Sequence, residues 1–153
     1  MTQPDQRAAI QAFLDAFASR DIERIAPFLD DEVTWTISGP VDLLHFCGVR
    51  QGKAAVLDVI GREVPAVLHI RRFAREMLLI DGDCAAALSR LSAVRQMDNR
   101  SISYRAAQFM RFRDGKLIEF SGVIDSFDAV EQVLGRPIDM HGAPNTVGDL
   151  IAV

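Results

Sequence analysis

The chain has 153 residues, 49% of them hydrophobic and 25% charged, which is the size and composition of a single globular domain able to bury a core. Its net charge of −4, with no basic block, argues against nucleic-acid binding as its task. No stretch of about 18 apolar residues occurs, so no membrane-spanning segment is expected.

Thr2, Gln3, Pro4 and Asp5 open a first helix: Thr can cap, Pro fits an early helical position and Asp suits the positive helix end. Ala9, Ile10, Phe13, Leu14 and Phe17 then recur at helical spacing, giving an apolar stripe to about Ala18. Asp21 caps a short second helix carrying Ile22 and Ile25, and Pro27 limits its length. Asp30, Asp31 and Glu32 read as a turn before a short strand, residues 33–37, that holds the only tryptophan, Trp35. Ser38-Gly39-Pro40 breaks this strand. Residues 41–51 read as a loop whose centre, Leu43 to Cys47, is apolar; exposing it would be unfavourable, so it is expected to fold over something. Gly52 precedes a third helix over residues 53–64, with Val56, Val59, Ile60 and Val64 on one side and Pro65 marking its end.

Long strands follow, over residues 67–80 and 84–97, separated by the Asp81-Gly82-Asp83 turn, and Asp98-Asn99 turns the chain into the next. Residues 101–125 then read as a hairpin. Asp114-Gly115 supplies the positive φ that a two-residue turn needs. Alternation puts Tyr104, Ala106, Gln108, Met110 and Phe112 on one face before the turn, and Ile118, Phe120, Gly122 and Ile124 on the matching face after it. The opposite face carries Arg105, Phe109, Arg111 and Val123. A last helical turn or two, with Ala129, Val130, Val133 and Leu134 apolar, is stopped by Gly135 and Pro137.

Helices first and long antiparallel strands after them indicate an α+β fold, a curved antiparallel sheet closed by the helices into a cone with an interior cavity. One domain is expected over residues 1–137, with a tail over 138–153. Cys47 and Cys84 lack the spacing of a metal site and read as buried free thiols, and nothing at the amino terminus resembles a signal peptide; both point to the cytoplasm. No metal or other cofactor is expected.

Several stretches, in this order and spacing, resemble the nuclear transport factor 2-like (cystatin-like) superfamily, and its SnoaL-like and ketosteroid isomerase-like branch in particular. They are FLDDEVTW at 28–35, GVRQGK at 48–53, IDGD at 80–83, FRDGKLIE at 112–119 and Ile124-Asp125. The resemblance covers roughly residues 5 to 135. It implies a cone-shaped fold, a homodimer formed through the outer sheet face, and a pocket acting on small molecules by isomerase, cyclase or dehydratase chemistry without metal. Matched to ketosteroid isomerase, Gln108 falls where that enzyme holds a protonated acid in its oxyanion hole, a donor role an amide can also fill. The family's catalytic carboxylate near the first strand falls at Thr36, Ile37 or Ser38, and the fifth-strand His and Asp of SnoaL-like cyclases fall at Phe120 and Gly122. The usual acids are thus replaced.

The expected site is a pocket lined by Phe13, Phe17, Trp35, Phe46, Tyr104, Phe120 and Ile124, with Gln108 as hydrogen-bond donor and His45, in the apolar loop, as proton carrier. His69 is the other histidine within the folded region and is expected to begin a strand facing solvent or ligand. The final helix has its cap among Asp125, Ser126 and Asp128; Asp125 matches the family's terminal Asp and reads as a cap, or as a pocket carboxylate if a bulge flips the strand's phase. Two functions stay open at this point: an acid–base enzyme on a small apolar carbonyl compound, and a non-catalytic ligand-binding or dimeric accessory domain.

Overall fold

The computed structural model describes residues 2–139; His141 and all but the first two residues of the expected tail lie outside this range. Helix α1, Gln3–Ser19, starts in a capping box, with the Thr2 hydroxyl taking the Asp5 N–H and the Asp5 carboxylate taking the Thr2 N–H. It ends at Arg20 in the left-handed conformation, φ 59°. Helix α2, Ile22–Ile25, is capped by Asp21 through the Glu23 N–H and runs into a 3-10 turn, Ala26–Phe28, that contains Pro27.

Six strands form one curved, unclosed sheet in the order β2-β1-β6-β5-β4-β3. They are β1 Leu29–Ser38, β2 Gly48–Gln51, β3 Leu68–Asp81, β4 Cys84–Arg95, β5 Ser101–Arg113 and β6 Lys116–Ile124. Strands β3 to β6 pair antiparallel throughout, as the turns between them require. Strand β1 joins the far side of β6 in parallel, Trp35 opposite Phe120 and Ile37 opposite Gly122.

Four local expectations need correction. Asp30 to Glu32 belong to β1 rather than to a turn before it; Asp30 accepts the Glu32 N–H, and the pairing with β6 shifts register between Leu29 and Thr34. The end of the supposed loop 41–51 is strand β2, held to β1 by its backbone. Pro65 does not end the third helix: α3, Lys53–Asp58, widens into a π turn, Val59–Glu63, and continues as α4, Val64–Val67, so the proline starts a new helical turn where its missing N–H is tolerated. In β6, Arg111 faces Glu119 while Phe112 faces Leu117, so Ile118 is a bulged residue and Leu117, fully buried, takes the interior position assigned to Ile118. In addition, Cys84 is exposed, and only Cys47 is a buried thiol.

The five interior residues expected on β5 are all buried. The turn after it has φ 49° at Asp114 and 77° at Gly115, which is the geometry Asp-Gly was expected to supply. A core of α1 side chains (Ile10, Phe13, Leu14, Phe17) meets the sheet through Leu29, Val33, Trp35, Met110, Phe112 and Leu117. Hiding each such side chain contributes roughly 1.5–3 kcal/mol. A second apolar cluster joins Leu44, Phe46 and Cys47 of the connecting segment to Leu68, Leu91, Ile102, Tyr104 and helix α5, Ser126–Leu134. Asp125 caps α5 by accepting the Asp128 N–H. Gln132 of α5 exchanges two hydrogen bonds of 2.8 Å with the Ser103 backbone, as a neighbouring strand would.

Candidate functional site

Between α1, the helical segment 53–67 and the concave face of the sheet lies a cavity of about 60 Å³. Helix α1 contributes Phe17 and, at its end, Arg20. Strand β1 contributes Trp35 and Ile37, the connecting segment Phe46, β5 Tyr104 and Gln108, and β6 Phe120, Gly122 and Ile124. The aromatic wall is close-packed. Trp35 and Phe120 stack at 3.7 Å with 5° between their planes, a consequence of their being register partners on adjacent parallel strands. Phe17 leans on both, at 5.7 and 5.9 Å, and meets Phe73 edge-on at 5.4 Å.

Phe13 does not line this cavity. One helical turn before Phe17 lies about 6 Å along the axis, and there Phe13 packs edge-on against Phe112 and Phe28 in the core. Nor does His45. Its ring is exposed, with Nδ1 3.0 Å from the Val41 carbonyl oxygen, while its own carbonyl accepts from Arg50. Arg50 also pairs with Glu63 at 2.8 Å and donates to the Cys47 carbonyl, so the segment before β2 is pinned onto the helical segment. His69 is exposed and borders a separate outer groove beside Ile22, Val64 and Leu68. Asp125 is exposed at the head of α5.

The polar groups that do reach the cavity are donors. Gln108 is buried and its Oε1 accepts from the buried Ser89 hydroxyl at 3.1 Å, which leaves its amide N–H groups without a described partner. It stands opposite Gly122 in the β5–β6 ladder, so the neighbour's missing side chain leaves space beside the amide. The Trp35 indole N–H is buried and has no acceptor among the described residues. Burial pushes the Tyr104 hydroxyl well above its ordinary pKa; the nearby Cys47 adds to this and Arg20 opposes it, so Tyr104 stays protonated at neutral pH. Burial likewise pushes the Cys47 thiol up to about 11. It brings the Arg20 guanidinium down to about 10, which leaves it charged. Among the described residues no Asp, Glu or His lines the cavity. Among the described residues no group of three His, Cys, Asp or Glu is placed to hold a metal ion.

Such a wall of aromatic rings with donors beside it can hold a mostly apolar molecule and draw electron density onto one of its oxygens; among the described residues it offers no carboxylate or imidazole to take a proton. The family model of the SnoaL-like domain matches residues 10–120. The chain belongs to this SnoaL-like family. A solved structure of a provisionally assigned isomerase from Rhodopseudomonas palustris is 42% identical to this SnoaL-like protein, covering 82% of this chain and 93% of that one with a TM-score of 0.73. TerC, solved with polyporic acid, is 22% identical over 84% of this chain and 98% of its own, TM-score 0.73. An epoxide hydrolase from M. tuberculosis is 14% identical over 87% and 92%, TM-score 0.67. The last two likenesses are of fold alone. Comparison with curated proteins gives no match.

Arg20 is the charged cavity residue that the sequence did not announce; Val59, Ile60, Ile70, Phe73 and Leu91 were also not expected on the cavity. A charged residue just past an amphipathic helix reads as solvent-facing, and its left-handed backbone follows only from the folded chain. The one signal available was Asp21, whose capping of α2 fixes a tight corner at residue 20.

Proposed function

We propose that this SnoaL-like protein binds a small, mostly apolar carbonyl compound inside the cone, with Gln108 donating to the ligand's oxygen and Phe17, Trp35, Phe46, Tyr104, Phe120 and Ile124 enclosing its apolar part. The observation that carries the reading is the set of unused donors on an otherwise apolar cavity. At about 60 Å³ the cavity is far below the roughly 300–1,000 Å³ of sites for drug-sized molecules, so the ligand is small or displaces a ring on entry. A second reading, isomerisation or cyclisation through an enol, is favoured by the 42% identical isomerase. In that case Gln108 and Tyr104 stabilise the developing oxyanion, and the base is supplied by the substrate or by water, because His45 does not line the cavity.

The test is Gln108→Leu, which keeps the volume and removes the donor. Affinity for a carbonyl ligand is expected to fall roughly tenfold, the equivalent of one neutral hydrogen bond. If turnover is found, the rate constant of the enolising step should fall more than the affinity does. Unchanged binding in a folded Gln108→Leu protein would remove the amide from the site.

The same reading includes a homodimer through the convex sheet face, supported by the exposure there of Met77 (56%), Leu79 (63%), Phe109 (53%) and Val123 (47%). Ion pairs between Arg90, Arg105 and Glu76, and between Arg111 and Glu119, surround these side chains, giving the apolar centre and charged rim of an interface. Phe109→Glu places a charge at the centre of that patch. Light scattering should then report a monomer at concentrations where the native chain is a dimer; a native monomer would sink the assignment. The free thiols fit a reducing compartment, so the cytoplasm is the proposed location. No helix among the described residues is long and apolar enough to cross a membrane.

A further inference from the structure

The carbonyl reading gives no task to Arg20, the one permanently charged group that the described residues bring to the cavity. The geometry points to Arg20 as a binding residue for an anionic oxygen, so that the molecule held in the cone carries a carboxylate, or an enolate or phenolate, beside its apolar part. This rests on the reading that the cavity binds a small molecule, and adds the ligand's charge to it.

Three observations converge. First, the Arg20 side chain makes no ion pair or hydrogen bond with any described residue; its guanidinium lies 4.8 Å from the centre of the Phe17 ring, on a cavity otherwise walled by apolar groups, Tyr104 and Gln108. Asp21, next to it in the chain, is occupied in capping α2. Several other arginines find acids: Arg50 has Glu63, Arg62 has Asp58, Arg113 has Asp30. Arg7, Arg24, Arg71 and Arg72 have no acid partner among the described residues but are exposed to water, whereas Arg20 is half-buried. An arginine kept beside a cavity without such a partner has its forked donors available for an oxyanion.

Second, the backbone is strained to put it there. Three non-glycine residues among those described have positive φ: Asn99 and Asp114, types that tolerate it, and Arg20. This is a helix-ending position where glycine is easiest, and α5 does end on one, Gly135 at φ 72°. A long charged side chain in its place indicates that the side chain is what the position is for.

Third, Arg20 stands at an entrance. With Ile60, Val64 and Ile70 it borders both the cavity and the outer groove that holds Asp21, Ile22 and His69. A charged residue that borders both suits a molecule entering with its charged end last. Tyr104 and Trp35 line the same cavity, and their donors are the ones nearest to hand for the oxygen's remaining lone pairs.

Matched acids and amides test this on the intact protein: acetate, butyrate and benzoate against acetamide, butyramide and benzamide, read by the fluorescence of the single tryptophan, which lines the cavity. The acid of at least one pair is expected to bind roughly tenfold more tightly than its amide. Arg20→Gln should bring that ratio to about one while leaving amide binding in place. Arg20→Gly should do the same while melting no lower than the native protein, since glycine relieves the backbone. Equal binding of acids and amides to the native protein, or a ratio that survives Arg20→Gln, overturns the assignment and leaves the carbonyl pocket standing. A ratio that survives Arg20→Gly while the variant melts far below the native protein makes the Arg20 side chain a packing group against Phe17 only, and also overturns it. Binding of no member of either series removes both the anion site and the pocket reading.

Discussion

Replacing Phe13 with Ala is expected to lower the free energy of unfolding by about 3–5 kcal/mol, the range for emptying a buried aromatic site. Phe13 is fully buried and touches three rings, Phe17, Phe28 and Phe112. Two of these lie on other elements, so the residue ties α1 to the sheet and to the turn before β1. A urea melt checks the effect: the midpoint falls while the slope stays constant. Ligand affinity per folded molecule should hold, because Phe13 does not border the cavity. A loss of binding with little loss of stability would instead return Phe13 to the site, where the helical stripe alone had placed it.

A second large effect is expected from Gly122→Asp, which restores the acid that the family resemblance expects at this position. A Cβ on residue 122 would lie 3.1 Å from Cε1 of Phe120 and 3.5 Å from Cγ1 of Ile37. Phe120 cannot retreat easily, being stacked on Trp35. The carboxylate would also enter a cavity with apolar walls. At neutral pH the combined penalty is expected to be about 3 kcal/mol or more. The charge component has a definite pH signature. Burial raises the new carboxyl's pKa in the folded state above its unfolded value, about 3.9. Between those two values the folded protein binds more protons than the unfolded one, so the variant loses stability as pH rises through this window. Below it only the steric part remains. Melts of native and variant proteins at pH 4 and pH 7 give the comparison. A difference that does not change with pH would mean that the carboxylate is solvated or paired with Arg20, and the cavity wetter than its walls suggest.

Which parts of the molecule could be read from the sequence follows from how local their causes are. The β5–β6 turn was legible because Asp114-Gly115 satisfies a backbone requirement within two residues. The helix caps at Thr2, Asp21 and Asp125 were legible for the same reason. The buried face of β5 was legible because strict alternation over thirteen residues admits only one phase. Strand β2 was not, since its four residues have little signal of their own and pair because β1 lies beside them. The bulge at Ile118 was hidden because Leu117 and Ile118 are equally apolar, and only pairing with Arg111 and Phe112 decides between them. The burial of Gln108 was legible because it follows the same alternation as its apolar neighbours on β5. His45 was misplaced because apolar neighbours were taken to carry it inward, whereas Leu44, Phe46 and Cys47 are buried around an exposed imidazole.

The parallel pairing of β1 with β6 sets the timing of folding. These strands are separated by more than half the chain, yet β6 is the bridge between the β1–β2 pair and the β3–β5 meander. A ribosome delivers β1 early and must make every other strand before its partner emerges. Until then β1 and β2 have no route into the main sheet, and Trp35 has no Phe120 to lie against. Contacts this distant in sequence close late and slowly. On a growing chain the cavity therefore cannot be completed before β6 emerges, and a nascent chain stalled before residue 116 would expose its aromatic wall to chaperones or to other chains.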